Sequence, residues 1–284
     1  MAYRRGIRGR GIGVAVLDTG ISFHPDFNRR IVGFRDFLAG RRECYDDCSH
    51  GTHVCGILGG NGAASLGKYR GIAPECHFVG VKVLDRRGNG NKEEVLRGID
   101  WVIQNRHAYG IRILNISVGT VRESASMDMQ LINMVERAWD AGLVVVVAAG
   151  NMGPEPMSIT VPGNSRKVIT VGCHEGGYFG NRRGLCENYS GRGDANDSIR
   201  KPDIVAPGTD IMSCNNRGNG YVKKSGTSMA TPIVSGAAAL LLQKYPYMNN
   251  EQVKRKMVYS AVDLGDFWNK QGWGMLDIQS LLEQ

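Results

Sequence analysis

No apolar stretch in the chain is long enough to cross a bilayer; the longest, Leu143–Ala149, has only the length of a strand. The charged start Met1-Ala2-Tyr3-Arg4-Arg5 has no apolar segment behind it, so no secretory signal is visible. There is no His-Glu-x-x-His pair for a metalloprotease zinc and no Walker phosphate loop. No linker, low-complexity stretch or internal repeat interrupts the 284 residues, and one domain over 1–284 is expected. The 7 cysteines (44, 48, 55, 76, 173, 186 and 214) are odd in number and cannot all pair within one chain. With no leader visible, they predict a cytoplasmic chain whose thiols are mostly free.

Hydrophobic residues make up 42% of the chain, enough for a substantial core. The formal net charge is +8. Many arginines come as scattered pairs (Arg4-Arg5, Arg29-Arg30, Arg41-Arg42, Arg86-Arg87, Arg182-Arg183) and read as solvated loops. No nucleic-acid-binding motif accompanies them, so neither a nucleic-acid nor a membrane partner is expected.

Short valine-rich runs recur at Gly13–Leu17, Phe78–Val83, Ile111–Ile116, Leu143–Ala149 and Val168–Val171. Strands apolar on both faces suit a parallel sheet covered by helices. Between them lie helical patterns, with Val95, Ile99, Val102 and Ile103 in 91–107 and Met127, Leu131, Met134, Val135 and Ala138 in 124–141. Gly142 ends the second, and Ser228–Lys244 reads as a helix buried nearly all round, with Pro232 in or near its first turn. The alternation predicts an α/β three-layer sandwich, its mainly parallel central sheet covered by helices on both faces.

Three local constellations carry chemistry. Asp18 follows an apolar strand and precedes Thr19-Gly20; the carboxyl ends of parallel strands are where such sheets place their sites. His50 is expected to open a short helix in Ser49-His50-Gly51-Thr52-His53-Val54, and His53 one turn on reads as a packed histidine. Ser228, in Gly226-Thr227-Ser228-Met229-Ala230, opens a buried helix whose amides and dipole face any negative charge developing beside it. Each alone has a bland reading: a turn cap, a core histidine, a serine cap. Together they supply a hydroxyl nucleophile, a base and an orienting acid in the order Asp, His, Ser.

With VAVLDTGI around Asp18, HGTHVCG from His50, LNISVG at 114–119, VVAAGN ending at Asn151, KPDIVAPG at 201–208 and GTSMATP around Ser228, the sequence resembles the subtilases, in family order over almost its whole length. The resemblance implies a serine endopeptidase working through an acyl-enzyme, with Asp18, His50 and Ser228 catalytic and Asn151 donating its amide to the oxyanion hole. It further implies that Ser117, Val118 and Gly119 pair with an extended peptide, that Gly88 and Gly90 flank its other side, and that Ala149 and Gly150 wall a pocket accepting large apolar residues. Glycines allow close approach because they lack Cβ.

Several features depart from the family pattern. Only 17 residues precede Asp18 and no propeptide is visible, as expected of a mature core or of an intracellular type. The chemistry requires no cofactor. Asp26 matches a position that helps bind calcium in several subtilases, but the adjoining 59–70 loop (GGNGAASLGKYR) offers no carboxylate, leaving a structural calcium to backbone carbonyls. Cys44, Cys48, His50, His53 and Cys55 match no standard zinc spacing, and a thiolate among them would confer sensitivity to thiol reagents. Two rival readings remain: a silent peptide-binding relative, which the complete triad disfavours, and a nucleotide fold suggested by Gly9, Gly11 and Gly13. Those glycines precede the first strand instead of following it, which is the wrong place for a phosphate cradle.

Overall fold

The computed structural model describes residues 6–117, 125–177, 184–196 and 198–283. Strands β1 (Gly13–Asp18), β2 (Ile31–Asp36), β3 (His77–Lys82), β4 (Ile111–Ile116), β5 (Val144–Ala148), β6 (Ile169–Cys173) and β7 (Ile204–Ala206) form one sheet in the order β2-β3-β1-β4-β5-β6-β7. Every pair in it is parallel. The interior strands β1 and β4 to β6 are buried almost end to end, as their unbroken valine and isoleucine runs predict. Edge strand β2 is only partly buried, and its sequence lacks the run that marks the others.

The helices are α1 (His50–Gly59), α2 (Lys92–Asn105), α3 (Ala125–Asp140), α4 (Thr227–Lys244), α5 (Asn250–Tyr259), α6 (Trp268–Gln271) and α7 (Ile278–Glu283). They cover both faces of the sheet, because strand side chains alternate. On β3, Val81 packs under Gly98 of α2, whereas Phe78, an odd number of residues away, packs under Gly59 of α1. A Cβ on Gly98 would stand 2.8 Å from the Leu17 side chain, so glycine lets α2 lie close on the sheet. Helix α4 packs beside α1 and runs under β4 to β7. It is buried nearly all round, as Ala237, Ala238, Ala239, Leu240, Leu241 and Leu242 show. Pro232 sits in its second turn rather than its first, where it cannot donate to the Ser228 carbonyl. A separate antiparallel hairpin, β8 (Ile211–Cys214) and β9 (Tyr221–Lys224), lies against α1.

Most helix ends follow the expected local chemistry. Asn91 and Asn249 each accept an amide of the first turn, the latter within a full capping box closed by Gln252. Gly142 adopts φ +91° and stops the chain after α3. One arginine pair departs from the solvated-loop reading: Arg30 donates to the carbonyls of Cys76 and Asp26, and burial lowers its pKa.

A buried ion pair closes the far side of the sheet. Lys201 Nζ lies 2.6 Å from Asp203 Oδ2, which also accepts the Thr170 amide at 2.7 Å. Burial lowers the Lys201 pKa to about 8, despite the opposing pull of Asp203. Asp203→Ala leaves that lysine buried without its counter-charge. The expected cost is about 3–5 kcal/mol of stability, read as a lowered denaturation midpoint in urea. A loss under ~1 kcal/mol would mean that water reaches the lysine.

Among the described residues, no helix is long and apolar enough to cross a membrane.

Candidate active site

Parallel β1 pairs with β3 on one side and β4 on the other; the chain leaves β1 toward β2 and leaves β4 toward β5 on the opposite side, so a crevice opens at their carboxyl ends. Asp18, the last residue of β1, lies in that crevice and is fully buried. His50 is the first residue of α1, and its Nδ1 stands 2.7 Å from Asp18 Oδ1 and 3.0 Å from Oδ2. The Thr19 amide donates to Asp18 Oδ1 at 2.7 Å and fixes the carboxylate from the other side. Burial opposes a charged imidazole, but the Asp18 charge and hydrogen bond outweigh it, and the His50 pKa is raised above its ordinary 6.5.

The device that aims His50 has no motif of its own. Asp46, almost wholly buried, accepts five hydrogen bonds. They come from Thr19 Oγ1 and the Cys48 and Ser49 amides on Oδ1, and from the Thr52 amide and hydroxyl on Oδ2. One carboxylate therefore caps the start of α1 and ties it to the residue after Asp18. Thr19 Oγ1 also accepts the Gly51 amide at 2.9 Å. Ser49, just before His50, is held at φ +80°, a left-handed conformation that costs a residue with a Cβ about 1 kcal/mol or more. Beneath this layer the buried Lys82 ammonium donates to the Thr19 and Leu84 carbonyls and to Asp47, each at 2.7 Å.

Ser228 is the second residue of α4, after Gly226 at φ +141°. Its amide is among the first four of the helix, which have no partner within it. The hydroxyl donates to the Ser117 carbonyl at 2.7 Å. Asn151, just beyond β5, accepts from the Thr227 amide and hydroxyl with Oδ1, both at 3.0 Å. This fixes the amide with its oxygen on the helix start and leaves Nδ2 to donate. Asp18, His50, Asn151 and Ser228 thus all sit at carboxyl ends of sheet strands or at the helix starts facing them.

The remaining predicted site residues are placed as follows. Ser117 is buried and directly follows β4; Val118 and Gly119 lie outside the described residues. Gly88 is exposed at φ +80° with open space where a side chain would go. Gly90 is glycine for its own chain's sake, since a Cβ would meet the Val83 carbonyl at 2.8 Å. Ala149 and Gly150 back onto Thr160, whose amide donates to the Ala149 carbonyl at 2.9 Å.

The sequence reading expects mostly free thiols, and the structure departs from it at one pair. Cys173 and Cys186 are bonded to each other, and the other five are free. Burial pushes the Cys48 thiol up and the Cys55 thiol well up, so neither is a thiolate beside His50. One ring nitrogen of each histidine is also in use, while His53 Nδ1 is buried without a hydrogen-bond partner among the described residues. His50 Nδ1 faces Asp18, and His53 Nε2 donates to the Ile211 and Val222 carbonyls.

Calcium does not fit at Asp26. Oδ1 accepts the Ala64 amide at 2.9 Å, while Oδ2 accepts the Tyr221 hydroxyl at 2.8 Å and the Cys214 thiol at 3.6 Å. An amide, a thiol and a single phenol oxygen surround the carboxylate, whereas calcium needs six to eight oxygen ligands.

Comparison with known proteins gives a consistent picture. Residues 9–274 match the family model described as the Subtilase family. The chain is 41% identical to Serine protease AprX of Bacillus subtilis (strain 168), covering 87% of this chain and 60% of that protein. It is 36% identical to Subtilisin Savinase of Lederbergia lenta, covering 98% of this chain and 93% of the relative. Among solved structures, the S41 Psychrophilic Protease superposes with a TM-score of 0.82 at 31% identity, covering 95% and 92% of the two chains. A cold adapted subtilisin-like serine proteinase gives 0.74 at 30% identity, covering 95% and 88%.

Proposed function

The chain belongs to the subtilase family, and from that premise we propose that it is a serine endopeptidase whose nucleophile is Ser228, whose general base is His50 and whose orienting acid is Asp18. The observation that carries the reading is the Asp18–His50 pair: a buried carboxylate 2.7 Å from Nδ1 leaves Nε2 as the free, basic nitrogen. The Ser228 hydroxyl attacks the scissile carbonyl carbon and passes its proton to His50 Nε2. The resulting oxyanion is held by the Ser228 amide, at the positive end of α4, and by Asn151 Nδ2. His50 returns the proton to the leaving amine, and a water activated by the same nitrogen releases the acyl group.

Ser228 does not point at its base in the resting geometry; it donates to Ser117 O. An extended peptide pairing with the 117–119 edge would present a backbone N–H to that carbonyl. Substrate would then displace the hydroxyl and free it to turn toward His50, tightening the catalytic hydrogen bond on binding.

As the family resemblance implies, Ala149 and Gly150 are read as one wall of a pocket that accepts large apolar side chains. Peptides differing only in the residue before the cleaved bond test this: leucine or phenylalanine should outperform aspartate and lysine.

Two outcomes follow for the catalytic groups. Asn151→Ala should lower kcat by ~10²–10³, the magnitude known for the equivalent asparagine of subtilisin, with KM little changed. An unaltered kcat would remove Asn151 from the oxyanion site. The base must be neutral to act, so kcat/KM should fall toward acid pH through the raised pKa of His50, above its ordinary 6.5. An acid limb below that value would contradict the buried ion-pair geometry.

A further inference from the structure

The region that departs from calcium chemistry holds ligands of a different kind. His24 and Asp26 are 0% exposed and Cys214 is 1% exposed, and the proposed mechanism uses none of them. One ligand atom from each lies within 4.8 Å of the others. His24 Nδ1 is 3.8 Å from Asp26 Oδ1, and Cys214 Sγ is 3.6 Å from Asp26 Oδ2. Around a tetrahedral zinc, with bonds of about 2.0–2.3 Å, neighbouring ligand atoms stand roughly 3.3–3.7 Å apart. The side chains already approximate such a cage.

The histidine is also preset. Its Nε2 stands 3.1 Å from the Gly220 carbonyl, an acceptor only, so Nε2 carries the proton and Nδ1 the lone pair. Holding the far ring nitrogen on a carbonyl is the usual way a metal-binding imidazole is oriented. Nδ1 is otherwise engaged only by the Asp26 amide at 3.2 Å. Tyr221 Oη, 2.8 Å from Asp26 Oδ2, offers an oxygen for a fourth position. One nitrogen, one sulfur and hard oxygens make a donor set for zinc, not calcium.

We propose that His24 Nδ1, the Asp26 carboxylate and Cys214 Sγ bind a zinc-class divalent cation, with Tyr221 Oη closing the fourth position. Binding replaces the thiol proton of Cys214, which leaves to solvent, and involves no change of oxidation state. Asp26 and the Cys214 thiolate then balance the two charges of the ion within the protein. The ion joins the short turn Pro25–Phe27 to the β8–β9 hairpin, which are 188 residues apart at Asp26 and Cys214. That hairpin grips α1: Ser213 Oγ donates to the His53 carbonyl at 2.8 Å, and His53 Nε2 donates back to Ile211 and Val222. The site braces the helix that begins at His50.

The test uses the full chain carrying Ser228→Ala, to prevent self-digestion, stripped with a chelator and reloaded with zinc or cobalt(II). After dialysis, elemental analysis should find about one zinc per chain, and zinc should raise Tm. Cobalt should give a thiolate-to-metal charge-transfer band with the strong visible bands of a tetrahedral site. Adding Cys214→Ser should abolish the zinc stoichiometry and the charge-transfer band, whereas Cys76→Ser, at another buried thiol, should keep both. Absence of bound zinc in the parent chain, or a cobalt spectrum without the thiolate band, overturns the proposal whether or not the Cys214 variant folds. So does retention of zinc and the band by a folded Cys214→Ser chain. None of these readouts depends on peptidase activity, so the proposed function can fail without affecting them.

Discussion

Ser228→Ala should lose hydrolysis of a denatured protein substrate by roughly 10⁶-fold, the magnitude known for subtilisin itself, and should no longer take a fluorophosphonate label. The expectation is sharp because the side chain does little else. Its oxygen makes one hydrogen bond, to the Ser117 carbonyl, and replacing it with a methyl group should cost about 1 kcal/mol of stability or less. Tm should therefore stay near that of the parent while activity disappears. Helix α4, its dipole and the Asn151–Thr227 contacts do not involve the hydroxyl, so some catalysis by oxyanion stabilisation should survive above the background reaction. A folded variant that still turns over substrate within tenfold of the parent would mean that another group is the nucleophile. Labelling of the parent at a residue other than Ser228 would mean the same.

Asp18→Asn should lower kcat by about 10⁴-fold, the loss known for the equivalent change in a trypsin-type triad, and it should also move the acid limb of the pH profile. Asparagine nearly preserves the shape of a fully buried side chain, so the fold should persist. What changes is the partner offered to His50 Nδ1. Asp18 presents two acceptors at 2.7 and 3.0 Å; an amide presents one acceptor and one donor. Thr19 N–H holds the amide oxygen at the Oδ1 position and puts the NH₂ group at the Oδ2 position, 3.0 Å from Nδ1, so a donor replaces one of the two acceptors facing the imidazole. That favours the tautomer protonated on Nε2, the nitrogen that must accept the serine proton. The charge effect has a definite sign. Burial lowers the His50 pKa and Asp18 more than compensates; without the carboxylate the lowering by burial should prevail. The residual activity should thus hold to lower pH than in the parent. If the limb stays where it was, the Asp18 charge is not what raises the histidine.

These outcomes rest on a proposed site whose principal residues stand out in the sequence itself. Asp18, His50, Asn151 and Ser228 each sit in a short local pattern, either a strand giving way to a turn or a small-residue helix start. Local backbone preference fixes such patterns, and Gly142 and the Asn249–Gln252 box behave as their neighbours dictate. The parallel sheet was equally readable, because strands covered on both faces must be apolar throughout. Edge strand β2 escaped for the converse reason: partial exposure leaves it no such run.

What only the tertiary structure decided is where long-range partners meet. Asp46 looks like any loop aspartate, yet folding surrounds it with five donors and makes it the link between His50 and Thr19. Arg30 reads as half of a solvated pair, but folding seats its guanidinium on two carbonyls. Ser228 aims at the Ser117 carbonyl across 111 residues, a rotamer choice that no motif encodes. Cys173 and Cys186 find each other only 13 positions apart, whereas His24, Asp26 and Cys214 converge through crossovers of the sheet instead of sequence spacing. By itself the sequence determined the fold class and the short motifs in which the proposed site residues sit, since propensity, periodicity and capping act within a few neighbours. The contacts that hold those residues at working distance join positions tens to nearly two hundred residues apart, and only the packed chain brings them together.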